Sequence, residues 1–185
     1  MATAPVVILT GPPGSGKSTV ARVLSRLLDV ASRDTDQDVE VTAGKPISEI
    51  FVDDGEPAFR ALEVAAVAEA VAGHSGVLSL GGGAVLDPCT QEVLASYREA
   101  GGVIVFLDVS LTQAAPRVGF NQSRPLLIGN PRAQWKILME ARRPTYESVA
   151  NLHVLTDDKT PTAVAEEIYA HLLRNESAAH KENEK

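Results

Sequence analysis

A chain of 185 residues suffices for one domain with a true core and is marginal for two. Its 44% hydrophobic and 22% charged residues are the composition of a soluble globular protein, and 4% aromatics leave the core to Val, Leu, Ile and Ala. The formal charge of -7 argues against non-specific binding to nucleic acid or an anionic membrane, so an anionic ligand needs a local basic site.

PVVILTG (5–11) is a β-branched run ending in Gly, the pattern of a buried strand. A helix is predicted over 17–28, with Val20, Val23, Leu24, Leu27 and Leu28 at helical spacing. SRDTDQDVEV (32–41) leaves a polar strand end and enters a second helix. Residues 46–73 carry two helical segments that part near DDGE, and alanine richness around 61–72 favours helix. GVLSLGGG (76–83) is another buried strand closing in glycines. Residues 87–101 read as a helix with Pro in the first turn and Gly past the end.

VIVFLDV (103–109) is the most hydrophobic strand, followed by a helix around 111–118. Turn residues mark 120–132 as an exposed loop. Residues 135–150 are helical, with Pro144 expected to interrupt or kink them. NLHVLTDD supplies a last strand and 161–174 a last amphipathic helix, and the polar tail 175–185 is expected to be disordered. Strands alternating with helices indicate a three-layer α/β/α fold: one domain over 1–174, its parallel sheet covered on both faces. Ligands of such a sheet gather outside the carboxyl ends of its strands. The segments 11–18, 34–36, 81–83 and 156–161 all follow predicted strands and should meet on one rim.

Compartment and assembly can also be read. The single cysteine, Cys89, gives no internal disulfide framework and fits a reducing compartment. The first residues lack a basic region before a long apolar stretch, and no run of about 20 apolar residues exists to span a membrane. A cytoplasmic chain is expected. No apolar stripe is left for a partner copy, which favours a monomer.

Gly11, Gly16, Lys17 and Ser18 match G-x-x-x-x-G-K-[ST] in the demanded strand–loop–helix context. The glycines let backbone N–H groups approach phosphate oxygens, and the new helix adds its positive end. Lys17 brings a mobile cation to the outer phosphates and Ser18 a hydroxyl for Mg²⁺. A nucleoside triphosphate is therefore the expected ligand. The loop does not say which class uses it. No N-K-x-D guanine signature is present. VIVFLD (103–108) imitates the hydrophobic run that ends in a magnesium-linked acid, but Asp34 and Asp36 of DTD offer a better metal side, so Asp108 reads as the polar end of a buried strand.

Asp34 and Asp36, two residues apart, share one side if the segment is extended. One suits Mg²⁺ and the other an acceptor hydroxyl, while an acidic helix start would look the same. Arg60 within FVDDGEPAFR, Arg142 and Arg143 before Pro144, and Arg124 within SRPLL each fit either a surface or a planar grip on a carboxylate. Several arginines beside ligand-side loops of an acidic chain favour the grip.

In this order, GPPGSGKST, DTD, F-x3-GE-x2-FR-x2-E, SLGGGAV, RPLL and R-x-P-x-Y resemble shikimate kinase, across about residues 6 to 161. The resemblance implies a P-loop kinase that moves the γ-phosphoryl group of ATP to the 3-hydroxyl of shikimate, on the route to chorismate and the aromatic amino acids. It implies that Gly14, Ser15, Gly16, Lys17, Ser18 and Thr19 lie along the phosphates, with Ser18 and Asp34 serving Mg²⁺. Asp36 would hold and align the attacking hydroxyl. Arg60 and Arg142 would clamp the shikimate carboxylate, with Glu63 orienting Arg60 and Arg143 pointing elsewhere. Phe51 and Phe59 would wall the ring, and Gly81, Gly82 and Gly83 would bring backbone to the acceptor. The acceptor-binding region would be about 34–63, and a lid about 119–131 would carry Arg124 to the phosphates. Arg117 would stack near adenine, and Lys159 stands where some members carry Arg. Lys17, Asp36 and Arg124 would form the catalytic set. Two other readings stay open: a kinase of gluconate or a nucleoside monophosphate, and a non-catalytic ATP-binding regulator.

Overall fold

The structure, a computed structural model, describes residues 4–117 and 131–183. Five strands form one parallel sheet: β1 (Val7–Thr10), β2 (Ser32–Asp34), β3 (Val77–Ser79), β4 (Ile104–Asp108) and β5 (Leu152–Leu155), in the order β2-β3-β1-β4-β5. The central strand pairs Leu9 with Ser79 on one side and with Val105 on the other. Because strand side chains alternate, β1 sends Val7 and Leu9 to one face and Ile8 to the other.

Two helices cover the first face. α1 (Lys17–Leu27) buries Val20 and Leu24, and α8 (Pro161–Asn183) buries Val164, Ala165 and Ile168 against Leu9, Val105 and Leu107. The second face is covered by α4 (Gly55–Gly73), α5 (Pro88–Glu99) and α7 (Pro131–Val149), which pack Val67, Leu94, Tyr146 and Trp135 against Ile8, Leu78 and Phe106. Each such side chain, fully buried, stabilises the fold by about 1.5–3 kcal/mol. The three-layer architecture is the one expected.

α2 (Thr35–Ala43) and α3 (Ile47–Asp53) stand off the sheet edge and pack on α4 through a small separate core of Val39, Ile50, Phe59 and Ala66. The break between α3 and α4 falls at Asp54, next to Gly55 with its φ of 84°, where the DDGE segment was expected to part the helices. α6 (Leu111–Arg117) follows β4.

Two expectations are narrowed by the structure. Of the interruption or kink expected at Pro144, the interruption does not occur, since α7 runs through it. The proline removes a hydrogen bond to the Glu140 carbonyl, but Pro144 and Glu140 lie on the exposed face, where water replaces the lost donor. α8 continues to Asn183 rather than ending at 174. Residues 176–182 include Ala, Glu and Lys, and extending an existing helix avoids the cost of nucleating one. The expected loop and lid, with Arg124, lie almost wholly at 118–130, outside the described residues.

Candidate active site

The carboxyl ends of β1, β2 and β3 open onto two adjoining cavities. The first, about 390 Å³, is lined by the 13–20 loop together with Arg117, Thr156 and Lys159. The second, about 450 Å³, is lined by Phe51, Phe59, Arg60, Glu63, Gly83 and Arg142 among others. Pro13, Ser18, Asp34, Asp36 and Gly82 line both. The predicted rim is thus one continuous cleft with a shared boundary.

The loop between β1 and α1 is shaped by backbone. Gly16 caps α1 in the left-handed region at φ 90°, which L side chains rarely adopt. A Cβ on Gly11 would lie 2.5 Å from the Leu107 carbonyl oxygen. Lys17 Nζ donates to the carbonyls of Gly11 (2.8 Å) and Pro12 (3.1 Å), spanning the cradle that its own chain makes. Ser15 is buried, and its hydroxyl has no hydrogen-bond partner among the described residues. Such a glycine-shaped loop at a helix start is built for phosphate.

Across the boundary, Asp34 does two things. One carboxylate oxygen caps α2 by accepting from the Asp36 N–H at 3.0 Å, and the other accepts from the Ser18 hydroxyl at 2.7 Å. The helix-start reading of DTD therefore holds for Asp34, which also reaches the phosphate-loop helix through Ser18. Ser18 and Asp34 offer two hard oxygens at the shared boundary. That donor set fits Mg²⁺, which takes one or two protein oxygens and completes its shell with phosphates and water.

The second cavity is made of charge. Arg60 donates to Glu63 at 2.6 Å and to Glu56 at 3.0 Å, leans over the Phe59 ring at 5.0 Å, and stays a quarter exposed to the cavity. Glu63 is buried. Burial pushes its carboxyl above the ordinary value, Arg60 and Arg142 draw it down, and the neighbouring Asp36 charge adds to the rise. Phe51 and Phe59 sit 4.8 Å apart and give one wall an aromatic surface. Arg142, also buried, directs Nη1 to the Gly82 carbonyl at 3.3 Å, and the Tyr146 hydroxyl donates to the same oxygen. Burial pushes the Tyr146 hydroxyl up to about 12, so it remains a donor at neutral pH.

The GGG turn is explained chiefly by neighbours. A Cβ on Gly81 would collide with Asp36 Oδ1 and would lie 2.7 Å from Glu63 Oε1, and one on Gly83 would come 2.5 Å from Arg60 Nη1. Only glycine leaves room for this charged cluster. Gly81, expected among the acceptor contacts, stands behind the two cavities rather than in their lining, and its N–H donates to the Thr35 hydroxyl at 3.0 Å. Thr35 was missed because a buried threonine between two acids gives no signal in a sequence. Lys159 lines the first cavity but is paired with Glu167 at 2.6 Å. Arg143 does point elsewhere, gripping Asp108 with two nitrogens at 2.7 and 2.8 Å, beside His153 at 3.1 Å. That pair accounts for Asp108 as the polar end of a buried strand.

A parallel sheet with a phosphate loop beside an arginine-lined cavity is the framework of a P-loop kinase of small molecules. The sequence model of the shikimate kinase family matches residues 13–173. The shikimate kinase of Salinispora arenicola is 54% identical over 167 residues, covering 90% of this chain and 97% of its own. That of Streptomyces coelicolor is 50% identical, covering 89% and 93%. The chain belongs to the shikimate kinase family. Among solved structures, the shikimate kinase of Acinetobacter baumannii in complex with shikimate is similar with a TM-score of 0.86 at 31% identity, over 94% of both chains. A gluconokinase of Sinorhizobium meliloti, at 19% identity and a TM-score of 0.61, shares the fold.

Proposed function

We propose that this chain catalyses transfer of the γ-phosphoryl group of ATP to the 3-hydroxyl of shikimate, giving shikimate 3-phosphate and ADP on the route to aromatic amino acids. The observation that carries the reading is the shared boundary, where Asp36 and Gly82 line both the phosphate-loop cavity and the arginine-lined one. A donor and an acceptor held on its two sides meet there.

On the acceptor side, Arg60 and Arg142 grip the carboxylate while Phe51 and Phe59 cover the ring face. Glu63 keeps the Arg60 fork turned inward. Gly82 and Gly83 let backbone come close to the bound ring. Asp36 accepts a hydrogen bond from the attacking hydroxyl and aligns its oxygen on the γ-phosphorus. As that P–O bond forms, the bond to the β-phosphate oxygen breaks, ADP leaves with the electron pair, and the hydroxyl proton passes to Asp36 or solvent late in the step.

On the donor side, residues 14–19 lie along the phosphates at the start of α1. Lys17 exchanges its loop carbonyls for phosphate oxygens and neutralises the charge that builds during transfer. Arg117 lines the same cavity on the nucleotide side. Arg124, outside the described residues, is assigned the same charge-neutralising role from its motif. Ser18 and Asp34 would hold Mg²⁺, which supplies charge neutralisation between the phosphates. One chain supplies both walls, which supports a monomer. Among the described residues no helix is long and apolar enough to cross a membrane, and the cytoplasm is the proposed location.

The test is ADP release with and without shikimate. Release that depends on shikimate, and far exceeds that with gluconate or a nucleoside monophosphate, is expected. Nucleotide binding with no shikimate-dependent ADP would favour a regulator instead.

A further inference from the structure

We propose that Trp135 is a positioning residue for phosphoryl transfer, acting through the Pro13 carbonyl to fix the partition between the two cavities; this rests on the transfer reading given above. Trp135 is the one tryptophan of the chain and is 4% exposed. Its indole Nε1–H donates to the Pro13 carbonyl at 2.9 Å, across 122 residues of sequence.

Pro13 stands at a particular place. It lines both cavities, and its ring faces Gly82, where a Cβ would meet Pro13 Cδ at 3.3 Å. The contact between Pro13 and Gly82 is therefore where the donor wall touches the acceptor wall. α7 holds both sides of it. Trp135 binds the Pro13 carbonyl from the start of the helix, and Arg142 and Tyr146 bind the Gly82 carbonyl two and three turns later. Arg143 fastens the same helix to β4 through Asp108.

The neighbouring loop carbonyls are held differently. Those of Gly11 and Pro12 accept from Lys17 Nζ, and the Pro12 carbonyl also accepts from the Ser15 N–H. When Lys17 turns to phosphate, those two ammonium bonds are given up. The Trp135 bond comes from outside the loop and has no other task, so it persists through the turn. It sets the spacing between loop and acceptor wall at the moment when an error of about 1 Å lowers the rate about a hundredfold.

The experiment is steady-state kinetics and melting of Trp135→Phe, which keeps an aromatic ring and removes the N–H. The expected result is a kcat lowered about tenfold or more with KM for ATP and for shikimate within about twofold, because ground-state contacts are untouched. Met139→Ala is the control for packing. Met139 is buried in the same core one turn further along α7 and lines neither cavity, so its loss lowers Tm while kcat stays near wild type. Should Trp135→Phe fail to fold, benzothienylalanine at position 135 keeps the bicyclic shape and deletes only the donor. Wild-type kcat in either N–H-free protein overturns the inference and leaves the kinase reading standing. A kcat loss in Met139→Ala equal to that in Trp135→Phe also overturns it, by assigning the effect to packing. A wild type without shikimate-dependent ADP release sinks both together.

Discussion

The phosphate-holding part of the nucleotide-side wall is one contiguous loop, residues 13–20, whose shape is set largely by backbone in glycine conformations, with Arg117, Thr156 and Lys159 completing the cavity. The acceptor-side wall is assembled from side chains on α2, α3, α4 and α7, ordered around the GGG turn by ion pairs and long-range hydrogen bonds. Phosphate is common to many ligands and needs only N–H groups and a cation, so a local loop suffices. A particular ring acid needs a planar grip, a wall and an aligned carboxylate, which no single segment can supply.

If that division is right, each wall can be broken separately. The largest effect is expected from Asp36→Ala, which should lower turnover about 10²–10⁴-fold while calorimetric titration still shows nucleotide binding. Parallel loss of nucleotide affinity would mean that the two walls are not independent. Arg60→Ala or Arg142→Ala should raise KM for shikimate about 10- to 100-fold with little change in KM for ATP, because a charge-assisted grip is lost from one side only. A fall in Tm with unchanged KM would reduce either arginine to a structural part.

A sharper contrast compares two glycines. Gly16→Ala meets no neighbour within 4 Å but forces an L side chain into φ 90°, so it should cost about 1–2 kcal/mol and weaken nucleotide binding chiefly. Gly81→Ala has ordinary φ but collides with Asp36 and Glu63, so it should cost about 1–3 kcal/mol and weaken shikimate binding chiefly. Thermal melts with each ligand separate the two. The smallest effect lies away from both walls. Burial raises the Asp108 carboxyl, but Arg143 and His153 outweigh it and hold it below its ordinary value. Its contribution is therefore fully present above about pH 4 and is lost as pH falls through the depressed value. Acid titration of stability should show Asp108→Asn less acid-sensitive than wild type, by about 1 kcal/mol or less for so exposed a partner as Arg143.

The same division explains what could be read from the chain. The phosphate loop was legible because eight consecutive residues carry it, and the sheet because β-branched runs alternate with helices. Asp36, Arg60 and Arg142 were legible only through the motifs around them, since each alone fits a surface residue equally well. Thr35, Trp135 and Tyr146 as partners of Gly81, Pro13 and Gly82 were not legible, because those bonds span 46, 122 and 64 positions and leave no local pattern. Whether Pro144 would end the helix was not legible, because its effect depends on whether the deprived carbonyl faces water, a property of packing. The tail misled because composition reports solvation and not whether an existing helix precedes it.

The most direct measurement is a crystal structure with shikimate and an unreactive ATP analogue bound together. The account predicts the shikimate carboxylate within hydrogen-bond distance of both Arg60 and Arg142, and a ring hydroxyl between Asp36 and the terminal phosphorus. Shikimate bound away from these arginines, or with its hydroxyls facing away from Lys17, would contradict it.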